Sequence, residues 1–171
     1  MTITGLSEDS LIQTIKQGEY RSFYKIIEGF SERAYHYVWH LVRDSECADD
    51  LCKTAFLKAY QLAKNSTIRM PLRIWFYRIL TNCYLEIRKK GKKLNLNSVK
   101  HHQTEVHVSL GQEAIVQEVE RLTDTQKAMI VLYHSEKLSL AEIAQVLDLP
   151  VNVLKRRLDH VHLVLARRCL V

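Results

Sequence analysis

The sequence predicts an all-α protein of two small helical domains joined by a flexible linker. Three observations predict it. Apolar residues recur three and four positions apart through nearly every long segment, and no strand-like alternation of useful length occurs. The 171 residues include only 5 Gly and 2 Pro, too few for a turn-rich sandwich or a glycine-cradled nucleotide site. The periodicity dissolves over residues 92–110, a stretch of Asn, Ser, His and Lys. The expected boundaries are a first domain over residues 1–91, a linker over 92–110 and a second domain over 111–171.

Ser7 can cap a first helix that carries Leu11, Ile12 and Ile15 and stops at Gly18. A second stripe, Phe23, Ile26, Ile27 and Phe30, resumes after Ser31 as Tyr35, Val38, Trp39 and Val42. Asp44 and Ser45 break it. Ser45 is read as the cap of a third helix bearing Ala48, Leu51, Ala55, Phe56, Ala59 and Leu62. Residues 65–67 form a loop. Pro71 suits the first turn of a fourth helix, which carries Leu72, Trp75, Phe76, Ile79, Leu80, Cys83 and Ile87 and ends near Gly91. Beyond the linker, residues 112–122 are amphipathic. Thr123-x-x-Gln126 and Ser139-x-x-Glu142 are capping-box patterns, each followed by an apolar run. Asp148-Leu-Pro150 is a tight break before the last helix. Four helices precede the linker and four follow it.

Composition excludes several classes. No stretch approaches the ~20 apolar residues of a membrane span. The acidic start lacks an export signature. The four cysteines form no CxxC, so reduced thiols in a cytoplasmic protein are expected. The formal charge of +6 is unevenly placed. Residues 64–93 hold nine basic side chains and only Glu86, and residues 150–171 hold five against Asp159 alone. The segments between them and before them are net acidic. Two basic blocks set apart in this way are the footprint of two contacts along a polyanion.

Each block sits on a helix with a fitting character. Residues 140–158 read as two short helices about a turn. Ala144 lets the second cross closely, and Ile143, Leu147, Leu149, Leu154 and Leu158 are expected to pack the pair. Asn152, Val153, Lys155, Arg156 and Arg157 then point outward near the start of the last helix, where a recognition helix enters the major groove. Lysines and arginines hold phosphates there, and Arg or Asn reads base edges. Asp148 stands at the turn, and Asp tolerates positive φ better than most residues. The earlier basic helix, residues 73–90, mixes aromatics with Arg73, Arg78, Arg88 and Lys89. Bases of a single strand stack on rings while cations follow its backbone. Trp75 and Phe76 are expected in the core; Tyr77 and the arginines are the contact candidates.

In this order and spacing the segments resemble the extracytoplasmic-function (group IV) sigma factors, the small two-domain promoter-recognition subunits of bacterial RNA polymerase. The resemblance spans residues 9–168. It is carried by Ala48-Asp-Asp-Leu51, Phe56-Leu-Lys-Ala59, Trp75-x-x-x-Ile79-x-x-Asn82 and Arg88-Lys89 in a region 2-like first domain. In a region 4-like second domain it is carried by Leu122-Thr-Asp-Thr-Gln126, Leu138-Ser-Leu-Ala-Glu-Ile-Ala144 and Pro150-Val-Asn-Val-Leu-Lys155-Arg-Arg157-Leu158. The resemblance implies an alternative sigma factor that binds the polymerase core through Asp49, Asp50, Lys53 and Phe56. It implies that Asn65, Ser66, Thr67, Arg69, Arg73, Tyr77, Arg78, Asn82, Arg88 and Lys89 recognise and melt the −10 element. Asn152, Val153, Lys155, Arg156, Arg157 and His160 then read the −35 element. The implied partners are RNA polymerase core, promoter DNA and an anti-sigma factor, without membrane insertion.

The sequence departs from the family in two places. Lys53 and Thr54 stand where the family has Gln and an acidic residue. Asn152, Val153 and Arg156 stand where it has Gly, Thr and Ser. Lys53 and Thr54 motivate a second reading, a sigma-like regulatory module that binds an anti-sigma factor or other regulator without supporting initiation. A stand-alone helix-turn-helix regulator is a third, but the sequence shows no dimer seam.

Other signals are weaker. His36 and His40 have an i,i+4 spacing that can bind zinc, yet no HExxH pattern or cysteine accompanies them. They read as packed or surface histidines. His101, His102 and His107 fall in the linker, and His160 and His162 are expected to face DNA or solvent. Cys47 and Cys52 diverge by roughly 140° on one helix and read as buried thiols. No Ser-His-Asp order, paired carboxylates or P-loop suggests catalysis, so no enzyme activity, cofactor or metal is expected.

Overall fold

The computed structural model describes residue 13 and residues 20–65, 68–90 and 117–169. Every regular element among the described residues is helical: α1 Tyr20–Val42, α2 Ser45–Asn65, α3 Leu72–Lys89, α4 Asp124–His134, α5 Leu140–Leu147 and α6 Val151–Cys169, with a further helical turn at 117–120. Apart from residue 13, which is helical and exposed, the helix expected over residues 7–17 lies outside the described residues, as does the linker expected over 92–110. Chain contacts divide the protein into two compact units, Met1–Tyr84 and Leu85–Val171, so the division falls inside α3, ahead of residue 91.

In the first unit α1 buries Phe23, Ile26, Phe30, Ala34, Tyr37, Val38, Leu41 and Val42 at i,i+3/i+4 spacing. Of the expected stripe, Ile27 and Trp39 are half-buried and Tyr35 is exposed, while Ala34, Tyr37 and Leu41 take the inward places. Arg43 ends α1. It takes the left-handed conformation at φ 56°, donates its amide to the Trp39 carbonyl at 2.7 Å and lays its guanidinium 4.7 Å from the Trp39 ring. The next helix is capped by Asp44, not Ser45: Asp44 Oδ1 accepts the Cys47 amide at 2.7 Å. An acidic cap also favours the positive end of the helix dipole. Along α2 the buried positions are Ala48, Leu51, Cys52, Ala55, Ala59 and Ala63. Four alanines in that row keep the helix surface low, so α1 and α2 approach closely.

The upstream part of α3 completes this core. Phe30 stacks on Phe76 at 5.2 Å, and Tyr77 meets Phe30 and Tyr37 edge-on at 5.1 and 5.3 Å. One polar chain runs through it. Thr81 Oγ1 donates to the Tyr77 carbonyl at 2.7 Å, which leaves the same oxygen to accept from the Tyr37 hydroxyl at 2.7 Å. A buried hydroxyl is thereby satisfied in both roles.

The second unit opens with the two caps the sequence displays. Thr123 and Gln126 form a full capping box on α4, and Ser139 and Glu142 form another on α5. Ile143, Ala144, Leu154 and Leu158 are buried with Met129, Leu132 and Val161. Leu147 and Leu149, expected in this core, are half-buried, and Val146 is the residue turned fully inward. Lys127 is also buried; its Nζ donates to Glu120 at 2.8 Å, which satisfies the charge.

Candidate nucleic-acid interface

The turn between α5 and α6 sets the interface of the second unit. Asp148 caps α5 in the left-handed conformation, φ 55° and ψ 47°, and its amide donates to the Ala144 carbonyl. Leu149 then donates to the same carbonyl at 3.0 Å. Pro150 follows as the N-terminal cap of α6, and its carbonyl accepts the Val153 and Leu154 amides at 3.0 Å each. Leu154, Leu158 and Val161 face the core, so helical phase turns Lys155, Arg156, Arg157 and His160 to solvent. Asn152 is exposed too, and its Oδ1 accepts the Val153 amide at 2.8 Å.

Val153, Arg156, Arg157 and His160 follow one another at i, i+3, i+4 and i+7. Together they form one wall of an open cleft of about 620 Å³. Thr123, Thr125, Gln126 and Met129 of α4 form the other. Sequence reasoning missed the α4 wall. The capping box was visible, but nothing local says that the start of α4 stands beside the start of α6.

The basic helix presents a narrower surface than its composition suggests. Tyr77 is fully buried among Phe30 and Tyr37, so its proposed contact with DNA is corrected: it is a core residue. Phe76 is buried as expected, and Trp75 is half-buried against it at 5.1 Å. Asn65, Arg69, Asn82 and Lys89 are exposed, whereas Arg73 and Arg78 are half-buried. Arg73 lies 5.8 Å from the Tyr77 ring. Arg88 belongs to the second unit and donates Nε to Asp124 Oδ1 at 2.7 Å. Ser66 and Thr67 lie outside the described residues.

On α2, Asp49, Asp50 and Lys53 are exposed and Phe56 is half-buried. Lys53 Nζ lies 3.5 Å from Asp50 Oδ1, with both side chains 73% exposed. Such a pair is worth at most about 1 kcal/mol and leaves both groups available to other partners. On the same helix the Cys47 and Cys52 thiols are held in their protonated form. Burial, with Asp44 next, pushes Cys47 up to about 11, and burial, with Asp49, pushes Cys52 up to about 12. Among the described residues no three His, Cys, Asp or Glu side chains gather around a metal-sized site.

Comparison with known proteins decides the family. The sigma-70 region 2 model matches residues 26–93, and the sigma-70 region 4 model matches residues 112–160, in that order. The chain belongs to the extracytoplasmic-function sigma factors. It is 27% identical over 165 residues to the sigma factor SigW of Bacillus subtilis, covering 86% of this chain and 88% of that one. It is 22% identical to the sigma-E factor of Haemophilus influenzae, covering 90% of each. Its fold resembles CnrH, solved with the cytosolic domain of CnrY, at a TM-score of 0.69, 18% identity and coverage of 92% and 93%. It also resembles RpoE of Bartonella quintana, solved with the anti-sigma factor NepR, at 0.66, 18% identity and coverage of 88% and 98%. The protein is thus an alternative sigma factor, a subunit that directs RNA polymerase to promoters.

Proposed function

We propose that this sigma factor grips one promoter at two places and acts by binding energy alone. The α5–α6 pair reads the −35 element through Asn152, Val153, Lys155, Arg156, Arg157 and His160. The loop after α2 and the solvent strip of α3 hold the melted −10 strand through Asn65, Ser66, Thr67, Arg69, Arg73, Arg78, Asn82, Arg88 and Lys89. Asp49, Asp50, Lys53 and Phe56 on α2 meet the polymerase core. The domain limits proposed for these roles are residues 1–91 and 111–171.

One observation supports this reading above the others: the exposed row of Lys155, Arg156, Arg157 and His160 at the start of α6, directly after the left-handed Asp148 turn. That is where a recognition helix presents its contacts to the major groove. CnrH and RpoE, two solved proteins of similar fold, were each captured with a second protein, in RpoE's case an anti-sigma factor. We extend this to an anti-sigma factor for the present protein. No described helix is long and apolar enough to cross a membrane, in keeping with work beside the polymerase in the cytoplasm.

Run-off transcription with purified core polymerase tests the proposal. The protein should confer initiation from a subset of genomic promoters, with protection of two separated elements in a footprint. Arg157→Ala should weaken protection of the upstream element and Asn82→Ala that of the downstream one. A protein that never engages core polymerase overturns the proposal.

A further inference from the structure

The promoter-binding role leaves one side-chain cluster of the second unit unused. His134 closes α4 and His162 lies on α6, and their Nε2 atoms approach to 2.9 Å. Two nitrogens bound at about 2.0–2.1 Å to one ion stand about 2.9 Å apart across a right angle and about 3.3 Å apart across a tetrahedral one. The observed spacing fits the right angle. The Tyr133 ring lies 4.9 Å from the His134 ring and 5.7 Å from the His162 ring, and so restricts how either imidazole turns. His134 is exposed and His162 half-buried, so water can complete the coordination from outside.

We propose that His134 and His162 form a two-imidazole site for a late first-row divalent ion, Cu²⁺ or Ni²⁺ in preference to Zn²⁺, which clamps α6 to the end of α4. Right-angle donor pairs suit tetragonal Cu²⁺ and Ni²⁺, and tetrahedral Zn²⁺ prefers the wider spacing. Without the ion the pair shares one hydrogen bond, one ring donating and the other accepting. Binding needs both Nε2 lone pairs, so the donating ring moves its proton to Nδ1 and no proton leaves the protein. Lys137 stands three positions beyond His134. Lys137 is a nearby cation that opposes the ion and lowers its affinity.

A second histidine pair, His36 and His40 at 3.2 Å on α1, needs to be silenced in the test. The exposed His36 is therefore replaced by alanine throughout. Chelator-treated full-length protein receives CuCl₂, NiCl₂ or ZnCl₂ singly and is followed by calorimetric titration and by thermal unfolding. The expected result is saturable binding of Cu²⁺ and Ni²⁺, weaker Zn²⁺ binding, and an unfolding temperature that rises with ion concentration by mass action. His134→Gln and His162→Gln keep size and hydrogen bonding and should each weaken Cu²⁺ binding about 10- to 100-fold, the loss that even an outer-shell partner causes. Unchanged affinity in both variants overturns the site, as does a parent that binds none of the three ions. Should a variant fail to fold, the Cu²⁺ electron paramagnetic resonance spectrum of the parent decides. Two coordinated imidazole nitrogens support the site, and fewer overturn it.

Discussion

Replacing Tyr77 separates the two roles that sequence and structure assign to it. Its side chain is fully buried, and its ring meets Phe30 and Tyr37 edge-on. Truncating a buried aromatic to alanine costs about 3–5 kcal/mol in lost transfer energy and cavity. Each ring pair is itself worth about 0.5–1.5 kcal/mol, which places Tyr77→Ala in the upper half of that range. At ~0.05–0.15 kcal/mol per residue, a unit spanning Met1–Tyr84 has about 4–13 kcal/mol of total stability. The substitution therefore removes a large share of it. Tyr77→Phe removes only the hydroxyl and should cost about 0.5–1.5 kcal/mol. Urea unfolding followed by far-ultraviolet circular dichroism, beside fluorescence anisotropy with a single-stranded −10 oligonucleotide, measures both quantities. The Ala variant should unfold at much lower urea, and the Phe variant should bind the strand as the parent does. An Ala variant that keeps its unfolding midpoint yet loses the strand would refute the core assignment.

Three further outcomes are expected. Asp148 holds a left-handed conformation that costs most residues about 1–2 kcal/mol, so Asp148→Ala should lower the melting temperature of the second unit and Asp148→Gly should preserve or raise it; equal melting of the Ala variant and the parent would sink the strain argument. His40 is held down to about 4 by burial, then His36 and Arg43, while an unfolded imidazole titrates at about 6.5. The unfolded chain binds more protons between those values, so stability is present above about pH 6.5 and declines as pH falls toward 4. Thermal melts across that window should show a smaller decline in His40→Gln, and parallel decline in both proteins would contradict the sign. Arg157→Ala should reduce the slope of log affinity against log salt for −35 duplex by about 1, measured by anisotropy, whereas Tyr133→Ala on the same unit should leave the slope alone.

Much of the fold was legible because it is written in local chemistry. Phe23, Ile26, Phe30, Val38 and Val42 have helical spacing and are buried as they read, whereas Tyr35 of the same stripe is exposed and Tyr37 takes the inward place. Both capping boxes form at the residues that display them, and Asp148 adopts the positive φ that a turn without glycine demands of it. What could not be read depends on which of several possible partners a side chain takes, near or far in the chain. Asp44 and Ser45 are both good cap residues side by side, and the structure uses Asp44, whose Oδ1 accepts the Cys47 amide directly after the left-handed Arg43. Lys127 looks like a solvent residue until Glu120 is seen within 2.8 Å of it. His134 and His162 lie on separate helices, and no spacing rule joins them.

The same distinction explains why the aromatic helix misleads as sequence. Periodicity shows which residues of α3 are apolar, not how many sides its neighbours cover. The structure buries Leu72, Ile74, Phe76, Tyr77, Ile79, Leu80, Thr81, Cys83 and Tyr84, far more than one stripe. A helix covered that broadly keeps only a thin solvent strip. That strip runs through Arg78, Asn82, Glu86 and Lys89, four positions at helical spacing that are half-buried or exposed. Along this strip the proposed hold on the −10 strand has two cations and an amide, with a carboxylate set between them, beside the contacts proposed for Arg73, Arg88 and the loop after α2. Most of the aromatic surface is committed to stiffening the platform from beneath. A rigid platform with few contacts suits a strand that must be caught without its duplex partner: the ordering cost is met at folding, before DNA arrives. The −35 cleft follows the same logic. Leu154, Leu158 and Val161 anchor one side of α6, so in the proposed −35 contact Arg156, Arg157 and His160 would meet the DNA from a fixed base.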